Sequence, residues 1–220
     1  MNTFQLRFVC TANLCRSPLA ERIAVHRMPP TAATRPWLVV TSAGTNARGG
    51  MPMHPLAARQ LTEIGADPSG FSSRRLTAAI VTEDDLVLTA DLAQRDTVVA
   101  LCPGASRRTF LIGEFAQLVH HSRVPVGRSL PPAVGGAPSD TPDSQAHVAR
   151  ALVATAARYR GRVPWHEPTV DEIADPDGGS ATMTACAEEI DRAVTRIILI
   201  LAGVTPLPAP LPTRATDPRP

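Results

Sequence analysis

Near the start of the chain, a cysteine and an arginine have a spacing that suits the binding of a tetrahedral anion. Arg16 follows Cys10 by six positions, and Ser17 comes directly after the arginine. In a loop between a strand and a helix, the loop N–H groups, the helix N-terminus and the guanidinium could together surround an oxyanion. A thiol at the bottom of such a loop would have a lowered pKa and would be nucleophilic at neutral pH. The pattern therefore predicts a thiol nucleophile beside a bound phosphate.

Cleavage of a phosphate monoester also needs a proton donor for the leaving group. We expect this donor to be a carboxyl group on a separate loop that reaches over the anion. Asp175 is the best candidate, because Pro176 restricts the residue before it to an extended backbone that can aim a side chain. Asp171 and Asp177 are alternatives with less local constraint. The predicted catalytic set is thus one cysteine, one arginine and one aspartate of a phosphatase.

Strand-like and helix-like segments alternate along the chain, which predicts an α/β fold. We expect a single three-layer domain with a central parallel sheet of about four strands and helices on both faces. The predicted strands are 4–10, 37–40, 86–89 and 109–111. The first predicted helix begins at Ser17–Pro18, and the last is an amphipathic helix that contains Ile190 to Leu201. Between them, four helices are predicted at about 53–64, 92–101, 114–120 and 144–159. Ligands of such sheets bind beyond the carboxyl ends of the strands, which is where Cys10 falls.

Three local features complete the predicted topology. Arg7 interrupts an apolar strand, so we expect it near the open end of that strand. The small residues from Thr41 to Thr45 predict a turn that can approach a neighbouring loop closely. Asp91 has the position and type of a helix N-cap.

Prolines and glycines mark the expected limits of the domain. Residues 1–203 are predicted to form the phosphatase domain, interrupted by a loop excursion at 125–143 that is rich in both residue types. The tail at 204–220 is rich in proline and lacks core residues, so we expect it to be disordered.

Charge, apolar runs and cysteine spacing exclude several functions. The formal net charge of +2 gives no electrostatic case for a nucleic-acid or membrane partner. The longest apolar run, 197–204, is too short for a membrane span, and the N-terminus lacks a signal-peptide pattern, so we expect a cytoplasmic protein. The cysteines lack the paired spacing of a zinc site and are too few for a disulfide scaffold. They are Cys10, Cys15, Cys102 and Cys186.

Three motifs, in this order, give the sequence a resemblance to a known family. Val9 to Pro18, VCTANLCRSP, resembles the signature of the low-molecular-weight protein tyrosine phosphatases. Ser42 to Thr45 is similar to a segment after the second strand of that family, and Asp175-Pro176 resembles the loop that bears its general acid. The resemblance implies a cysteine-dependent phosphatase that hydrolyses phosphate monoesters, chiefly protein phosphotyrosine.

The resemblance also implies the role of each residue. Cys10 would attack phosphorus and form a phosphocysteine, Arg16 would bind the phosphoryl oxygens, and Asp175 would protonate the leaving oxygen and then activate water. Ser17 would donate a hydrogen bond to the thiolate, Asn13 would hold the loop, and Cys15 could form a reversible disulfide with the nucleophile. The implied phosphate-binding residues are Thr11, Ala12, Asn13, Leu14, Cys15, Arg16 and Ser17. No metal or organic cofactor is implied.

Four departures from the family pattern bear on specificity. Position 12 is alanine, Ala12, where the family usually has glycine, and the backbone of this alanine would be strained if its φ were positive. Aromatic residues are missing after Asp175-Pro176, as is a histidine between Phe71 and Arg75. Leu14 stands where relatives that prefer phosphoarginine tend to have threonine, which favours aryl phosphates.

Two other functions remain open at this stage, besides hydrolysis of a phosphorylated protein or a small aryl phosphate. A thiol-dependent arsenate reductase shares this kind of loop, but it needs additional cysteines for a disulfide cascade. A catalytically weak relative could instead bind phosphorylated partners without turnover. The oligomeric state is left open.

Overall fold

The computed structural model describes residues 3–29, 37–123, 141–161 and 171–203. Four strands form one parallel sheet in the order β2-β1-β3-β4. The strands are β1 (Phe4–Cys10), β2 (Leu38–Gly44), β3 (Leu86–Thr89) and β4 (Thr109–Leu111). The α/β class and the four-strand parallel sheet are as predicted.

Seven α-helices and one 3-10 helix lie in the described part of the chain. The α-helices are α1 (Arg16–His26), α2 (Pro55–Glu63), α3 (Ala78–Glu83), α4 (Leu92–Leu101), α5 (Ile112–Arg123), α6 (Pro142–Tyr159) and α7 (Ser180–Leu201), and the 3-10 helix is Pro103–Arg108. The sequence analysis missed α3 and the 3-10 helix, because each has six residues and so is too short to show a helical repeat.

Side chains of the strands alternate between two apolar cores. On one face, Phe4, Leu6 and Phe8 pack in a large core with residues of α1, α2, α5, α6 and α7. On the other face, Val9 and Val87 pack in a smaller core with residues of α3, α4 and the 3-10 helix. Successive residues of a strand point to opposite faces, so β1 contributes to both cores. Helices therefore cover both faces of the sheet, as predicted.

The second strand is longer than predicted. The expected turn at 41–45 is wrong, because Thr41 to Gly44 pair in register with Arg7 to Cys10 and extend β2 to the carboxyl edge of the sheet. The predicted close approach does occur, at the end of that strand. A Cβ on Gly44 would lie 2.5 Å from the carbonyl oxygen of Thr11 and 2.8 Å from the amide nitrogen of Asn13. Only glycine fits there.

The prediction for Arg7 is also wrong. Arg7 is 7% exposed, in the middle of β1, and it makes a bidentate ion pair with Asp84 through Nε at 2.7 Å and Nη2 at 2.9 Å. Burial raises the pKa of the Asp84 carboxyl, although the hydrogen bond and charge of Arg7 act in the opposite direction. A charge inside the sheet is tolerated because its partner is buried with it.

Some predicted segments lie partly or wholly outside the described residues. These are the tail at 204–220 and residues 125–140 of the excursion, while α6 already begins at Pro142, inside the predicted excursion. No helix in the described ranges is long and apolar enough to cross a membrane.

The buried pair of Arg7 and Asp84 should respond very differently to single and double substitutions. We expect Asp84→Asn to lower the free energy of unfolding by about 3 kcal/mol, because it leaves a buried cation without its counter-charge. Replacing both residues, in Arg7→Met/Asp84→Leu, should be less destabilising than that single change. Urea denaturation measures both values.

The matched control is the exposed pair of Arg59 and Glu63 on α2, whose side chains are 68% and 48% exposed. Arg59→Ala should cost no more than about 0.5 kcal/mol. If Asp84→Asn cost no more than this control, burial of the charge pair would not be the reason for its importance.

Candidate active site

The predicted anion loop lies at the carboxyl edge of the sheet, between β1 and α1. Cys10 ends β1 and is 3% exposed, while Arg16 begins α1 and is 4% exposed. Thr11 and Ala12, between them, are exposed to solvent. No side chain among the described residues caps the N-terminus of α1, so its first N–H groups are available to an anion. We call residues 10–16 the cysteine loop.

Two polar groups contact the sulfur of Cys10. The backbone N–H of Asn13 donates to Sγ over 3.3 Å, and Ser17 Oγ lies 2.9 Å from Sγ. The hydroxyl of Ser17 has one alternative acceptor, the carbonyl oxygen of Ala43, at the longer distance of 3.4 Å. Hydrogen bonds donated to sulfur favour the thiolate over the thiol. The surroundings of Cys10 are therefore suited to an anionic sulfur.

The side chain of Asn13 determines where the hydroxyl of Ser17 can point. Its Oδ1 accepts a 2.9 Å hydrogen bond from the backbone N–H of Arg74, which fixes the amide orientation because a backbone N–H can only donate. Its Nδ2 therefore donates to Ser17 Oγ at 2.9 Å and to Ser42 Oγ at 2.8 Å. Because Ser17 Oγ already accepts from Asn13, its own proton goes either to the sulfur at 2.9 Å or to the carbonyl oxygen of Ala43 at the longer distance of 3.4 Å. The backbone of Asn13 has φ 56, a left-handed value that asparagine tolerates.

The same series of hydrogen bonds ends on a buried carboxylate. Ser42 Oγ accepts from Asn13, so its proton goes to Glu21 Oε2, which lies 2.6 Å away. Glu21, on α1, is only 8% exposed. No sequence signal indicates this role, because a glutamate within a helix is ordinarily a surface residue. Glu21 becomes recognisable only when β2 is placed beside α1.

The two ends of the Arg16 guanidinium have different surroundings in the described part of the chain: Nη1 makes hydrogen bonds, whereas Nε makes none. Its Nη1 donates to Asp91 Oδ2 at 3.0 Å and to the carbonyl oxygen of Ile173 at 3.1 Å. Asp175 Oδ1 lies 3.0 Å from Nε and forms an ion pair, but this contact is not a hydrogen bond, and the buried Nε has no hydrogen-bond partner within the described ranges. An unsatisfied buried donor is costly, so Nε is ready to bind an oxygen of an incoming anion.

Asp91 serves two helices at once. As predicted, it caps α4, where Oδ1 accepts from the backbone N–H of Gln94 at 2.9 Å. Its Oδ2 accepts from Arg16 and from Gln94 Nε2, and Nε2 also donates to Thr11 Oγ1 at 3.2 Å. Asp91 and Gln94 are thus positioning residues for the cysteine loop. Only the cap could be predicted, because its partners are local.

The segment that bears Asp175 is fixed to the sheet near its start. We call residues 171–179 the acid loop. The backbone N–H of Ile173 donates to the carbonyl oxygen of Ala90 at 2.8 Å, and the backbone N–H of Leu92 donates to Glu172 Oε1 at 2.9 Å. A Cβ on Gly113 would lie 2.7 Å from the carbonyl oxygen of Asp171, so glycine is needed for this contact. The acid loop is therefore attached to the segment after β3 that also holds Arg16.

The three candidate acids have different surroundings. Asp175 pairs with Arg16 and is 69% exposed at its side chain. Asp171 Oδ1 accepts from Gln117 Nε2 at 2.7 Å, and Asp177 Oδ1 accepts from the backbone N–H of Gly179 at 2.8 Å. Hydrogen bonds from Thr182 and Gly179 hold the pKa of Asp177 below its ordinary value, so its carboxyl group is less often protonated and less suited to donate a proton to a leaving group. This geometry favours Asp175 among the three.

The structure also describes the backbone of Ala12 and the environment of Cys15 in the cysteine loop. Ala12 is not strained, because Asn13 is the one non-glycine residue with positive φ in the described ranges. Burial, followed by the neighbouring Cys10, raises the pKa of the Cys15 thiol to about 11, although Arg16 acts in the opposite direction. Cys15 is thus a poor nucleophile at neutral pH. Its redox role stays a prediction.

Within the described residues, no group of three histidine, cysteine, aspartate or glutamate side chains could hold a metal ion. The polar groups at the carboxyl edge instead include buried hydrogen-bond donors, which suit an anionic ligand.

The pattern of a known family matches the part of the chain that contains this loop. Residues 5–126 match the family described as low molecular weight phosphotyrosine protein phosphatase. The probable low molecular weight protein-tyrosine-phosphatase EpsP of Ralstonia nicotianae is 32% identical over 109 residues, which are 50% of this chain and 70% of that protein. The chain belongs to this phosphatase family. Etp of Escherichia coli K12, a low molecular weight protein-tyrosine-phosphatase, is 31% identical over 118 residues, 51% of this chain and 75% of its own.

Solved structures share the fold at lower identity. A low molecular weight protein tyrosine phosphatase from T. tengcongensis has a TM-score of 0.58 at 22% identity and covers 89% of this chain and 98% of its own. YwlE arginine phosphatase from Geobacillus stearothermophilus has a TM-score of 0.60 at 21% identity, and the match covers 91% of this chain and 94% of that protein. The family match ends before the acid loop, so the role of that loop depends on its geometry.

Glu172 should control how well Asp175 is aimed. We expect Glu172→Ala to lower kcat/KM for phenyl phosphate by about tenfold, because small displacements of a catalytic group are costly. The loss should be smaller for 2,4-dinitrophenyl phosphate, whose leaving group needs no proton. Glu172→Gln should retain most activity, since its amide oxygen can still accept from Leu92.

The control is Glu83→Ala, which removes an exposed carboxylate at the end of α3, on the amino side of β3. It should affect neither substrate. Equal losses of kcat/KM for both aryl phosphates in Glu172→Ala would contradict a role through the acid.

Proposed function

We propose that this phosphatase hydrolyses phosphate monoesters, chiefly phosphotyrosine in proteins, through a phosphocysteine intermediate. The single observation that supports this most is the combination of polar groups around the sulfur of Cys10 with the buried guanidinium of Arg16, whose Nε has only the exposed carboxylate of Asp175 beside it among the described residues. The sulfur supplies a nucleophile, and the guanidinium supplies charge for the phosphoryl oxygens. Thr11 and Ala12 are exposed, so a substrate can reach the loop from solvent.

In the first step, the thiolate of Cys10 attacks phosphorus. The S–P bond forms while the P–O bond to the tyrosyl oxygen breaks, and the carboxyl proton of Asp175 passes to that oxygen. Arg16 Nε, the N–H groups of the cysteine loop and the N-terminus of α1 bind the phosphoryl oxygens. Ser17 turns its proton to the sulfur and stabilises the thiolate before attack and after its release.

In the second step, water attacks the phosphocysteine. The carboxylate of Asp175 takes a proton from the water, the new P–O bond forms, and the S–P bond breaks to regenerate the thiolate and release inorganic phosphate. Atoms and charges balance without a metal or an organic cofactor. A free thiolate on Cys10 is most easily kept in a reducing compartment, which is consistent with a cytoplasmic enzyme and phosphorylated protein substrates.

Leu14 favours an aryl phosphate as the substrate. Leu14 belongs to the cysteine loop and is half-buried, and its carbonyl oxygen accepts from the backbone N–H of His54 at 2.8 Å. An apolar side chain in this position suits the ring of phosphotyrosine better than a charged guanidinium.

Turnover of a phosphotyrosine peptide by single variants tests this proposal. We expect Cys10→Ser to lose at least roughly 10⁴-fold in kcat/KM, since it removes the nucleophile. Asp175→Asn should lose about 10²-fold, the usual contribution of a general acid. Phosphate release in a continuous assay measures both.

Matched controls are Cys102→Ser and Asp177→Asn, which should keep activity near that of the wild type. A Cys10→Ser variant with full activity would overturn the phosphocysteine mechanism. A large loss in Asp177→Asn, with Asp175→Asn unaffected, would move the acid role to Asp177. Faster turnover of a matched phosphoarginine peptide would overturn the preference for phosphotyrosine.

A further inference from the structure

Three exposed arginines lie on one flank of the cysteine loop. Arg48 follows β2, and Arg74 and Arg75 belong to the segment that pairs with the end of β2. We call these three residues the basic rim. They have no part in the steps described above.

Backbone contacts attach the basic rim directly to the cysteine loop. The backbone N–H of Arg74 binds Asn13 Oδ1 at 2.9 Å, and the carbonyl oxygen of Arg74 accepts from Gly44 at 3.0 Å. The carbonyl oxygen of Arg48 accepts from Ser73 Oγ at 2.5 Å, which ties the two segments together. The three side chains therefore start from backbone that borders the mouth of the site.

The two segments that form this flank have no carboxylate of their own. Residues 44–54 and 70–77, the two segments concerned, contain no aspartate or glutamate. In the described part of the chain, none of the three guanidiniums forms an ion pair. Unpaired arginines that share one edge produce a positive potential near it, within about 10 Å at 0.1 M salt.

The opposite flank has the opposite sign. The sheet order puts β2 on one side of β1 and β3 on the other. The acid loop contacts the segment after β3, through Ile173 and Glu172, and residues 171–179 contain four acidic residues and no basic one. A polypeptide bound across the mouth thus meets positive charge on the β2 side and negative charge on the β3 side.

We propose that the basic rim binds acidic residues that flank the phosphorylated residue of a protein substrate. The assignment rests on the proposed function and adds a substrate class to it: phosphopeptides with aspartate or glutamate near the phosphotyrosine. A small aryl phosphate does not reach the rim, so the rim selects among polypeptides and does not act in the chemistry. Its effect is a salt-dependent gain in kcat/KM.

A pair of phosphotyrosine peptides tests the proposal. The two have equal length and differ only in flanking residues, which are aspartate and glutamate in one and asparagine and glutamine in the other. Exposed charge pairs are individually weak, at about a twofold preference each. We expect kcat/KM to be about fivefold higher for the acidic peptide near 0.1 M salt, and the preference to vanish near 1 M, where the screening length is about 3 Å.

Variants then locate the preference. Arg48→Ala/Arg75→Ala should reduce the ratio of the two kcat/KM values to below about twofold, and Arg48→Lys/Arg75→Lys should retain it because the charge is kept. A ratio cancels any change in the chemistry common to both peptides. The control is Arg107→Ala, an exposed arginine just before β4, at the other edge of the sheet, and it should keep the wild-type ratio.

The outcomes separate this proposal from the proposed function. Equal turnover of both peptides by the wild type would overturn the role of the basic rim and leave the proposed function standing. A preference that survives in Arg48→Ala/Arg75→Ala would also overturn it. Failure of the wild type to hydrolyse either peptide would overturn the proposed function, and this assignment with it.

Discussion

The site depends on one side chain, Asn13, whose amide oxygen accepts one hydrogen bond and whose amide nitrogen donates two. The backbone N–H of Arg74 fixes its oxygen, and its two protons then go to Ser17 and Ser42. This arrangement leaves the proton of Ser17 for the sulfur of Cys10 or, over a longer distance, for the carbonyl oxygen of Ala43, and it directs the proton of Ser42 toward Glu21. A backbone donor thus sets the direction of hydrogen bonds across three segments of the chain. Buried networks in which every member is satisfied are rigid and specific.

Around Arg16, too, single residues make contacts that position more than one segment. Asp91 caps α4 and binds Arg16, while Ile173 accepts from Arg16 and donates to Ala90. The cation, the helix start and the acid loop are therefore positioned by one set of contacts. Because Nη1 of the guanidinium is fixed by protein acceptors, Nε makes no hydrogen bond within the described residues and is paired only with the exposed carboxylate of Asp175, which a bound anion can replace. Binding of an anion can then satisfy a donor without moving the residues that hold it.

Features encoded locally could be predicted from the sequence. The apolar alternation of β1, the run of β3 and the N-cap at Asp91 involve neighbours in the chain, and the structure has them where they were expected. The cysteine loop itself was found by its residue types and spacing. The end of β2 was placed too early, because small residues suit both a turn and an edge where two loops touch, and only the pairing with β1 decides between them.

Features that join distant segments could not be predicted. Arg7 looked like a residue at a strand end because its partner Asp84 lies 77 positions away, and Glu172 binds Leu92 across 80 positions. Glu21 has no unusual sequence context at all. Its role exists because α1 lies beside β2. Sequence periodicity reports which face of an element is buried, but it does not report which polar groups meet across the fold.

The central claim is that phosphate is transferred to the sulfur of Cys10 during turnover, and trapping of the intermediate tests it most directly. The wild-type enzyme would be mixed with an aryl phosphate, quenched rapidly, digested and examined by mass spectrometry. We predict a phosphoryl group on the peptide that contains Cys10, on that residue and on no other. Turnover without any phosphorylated enzyme, or with the phosphoryl group on a different residue, would contradict the account.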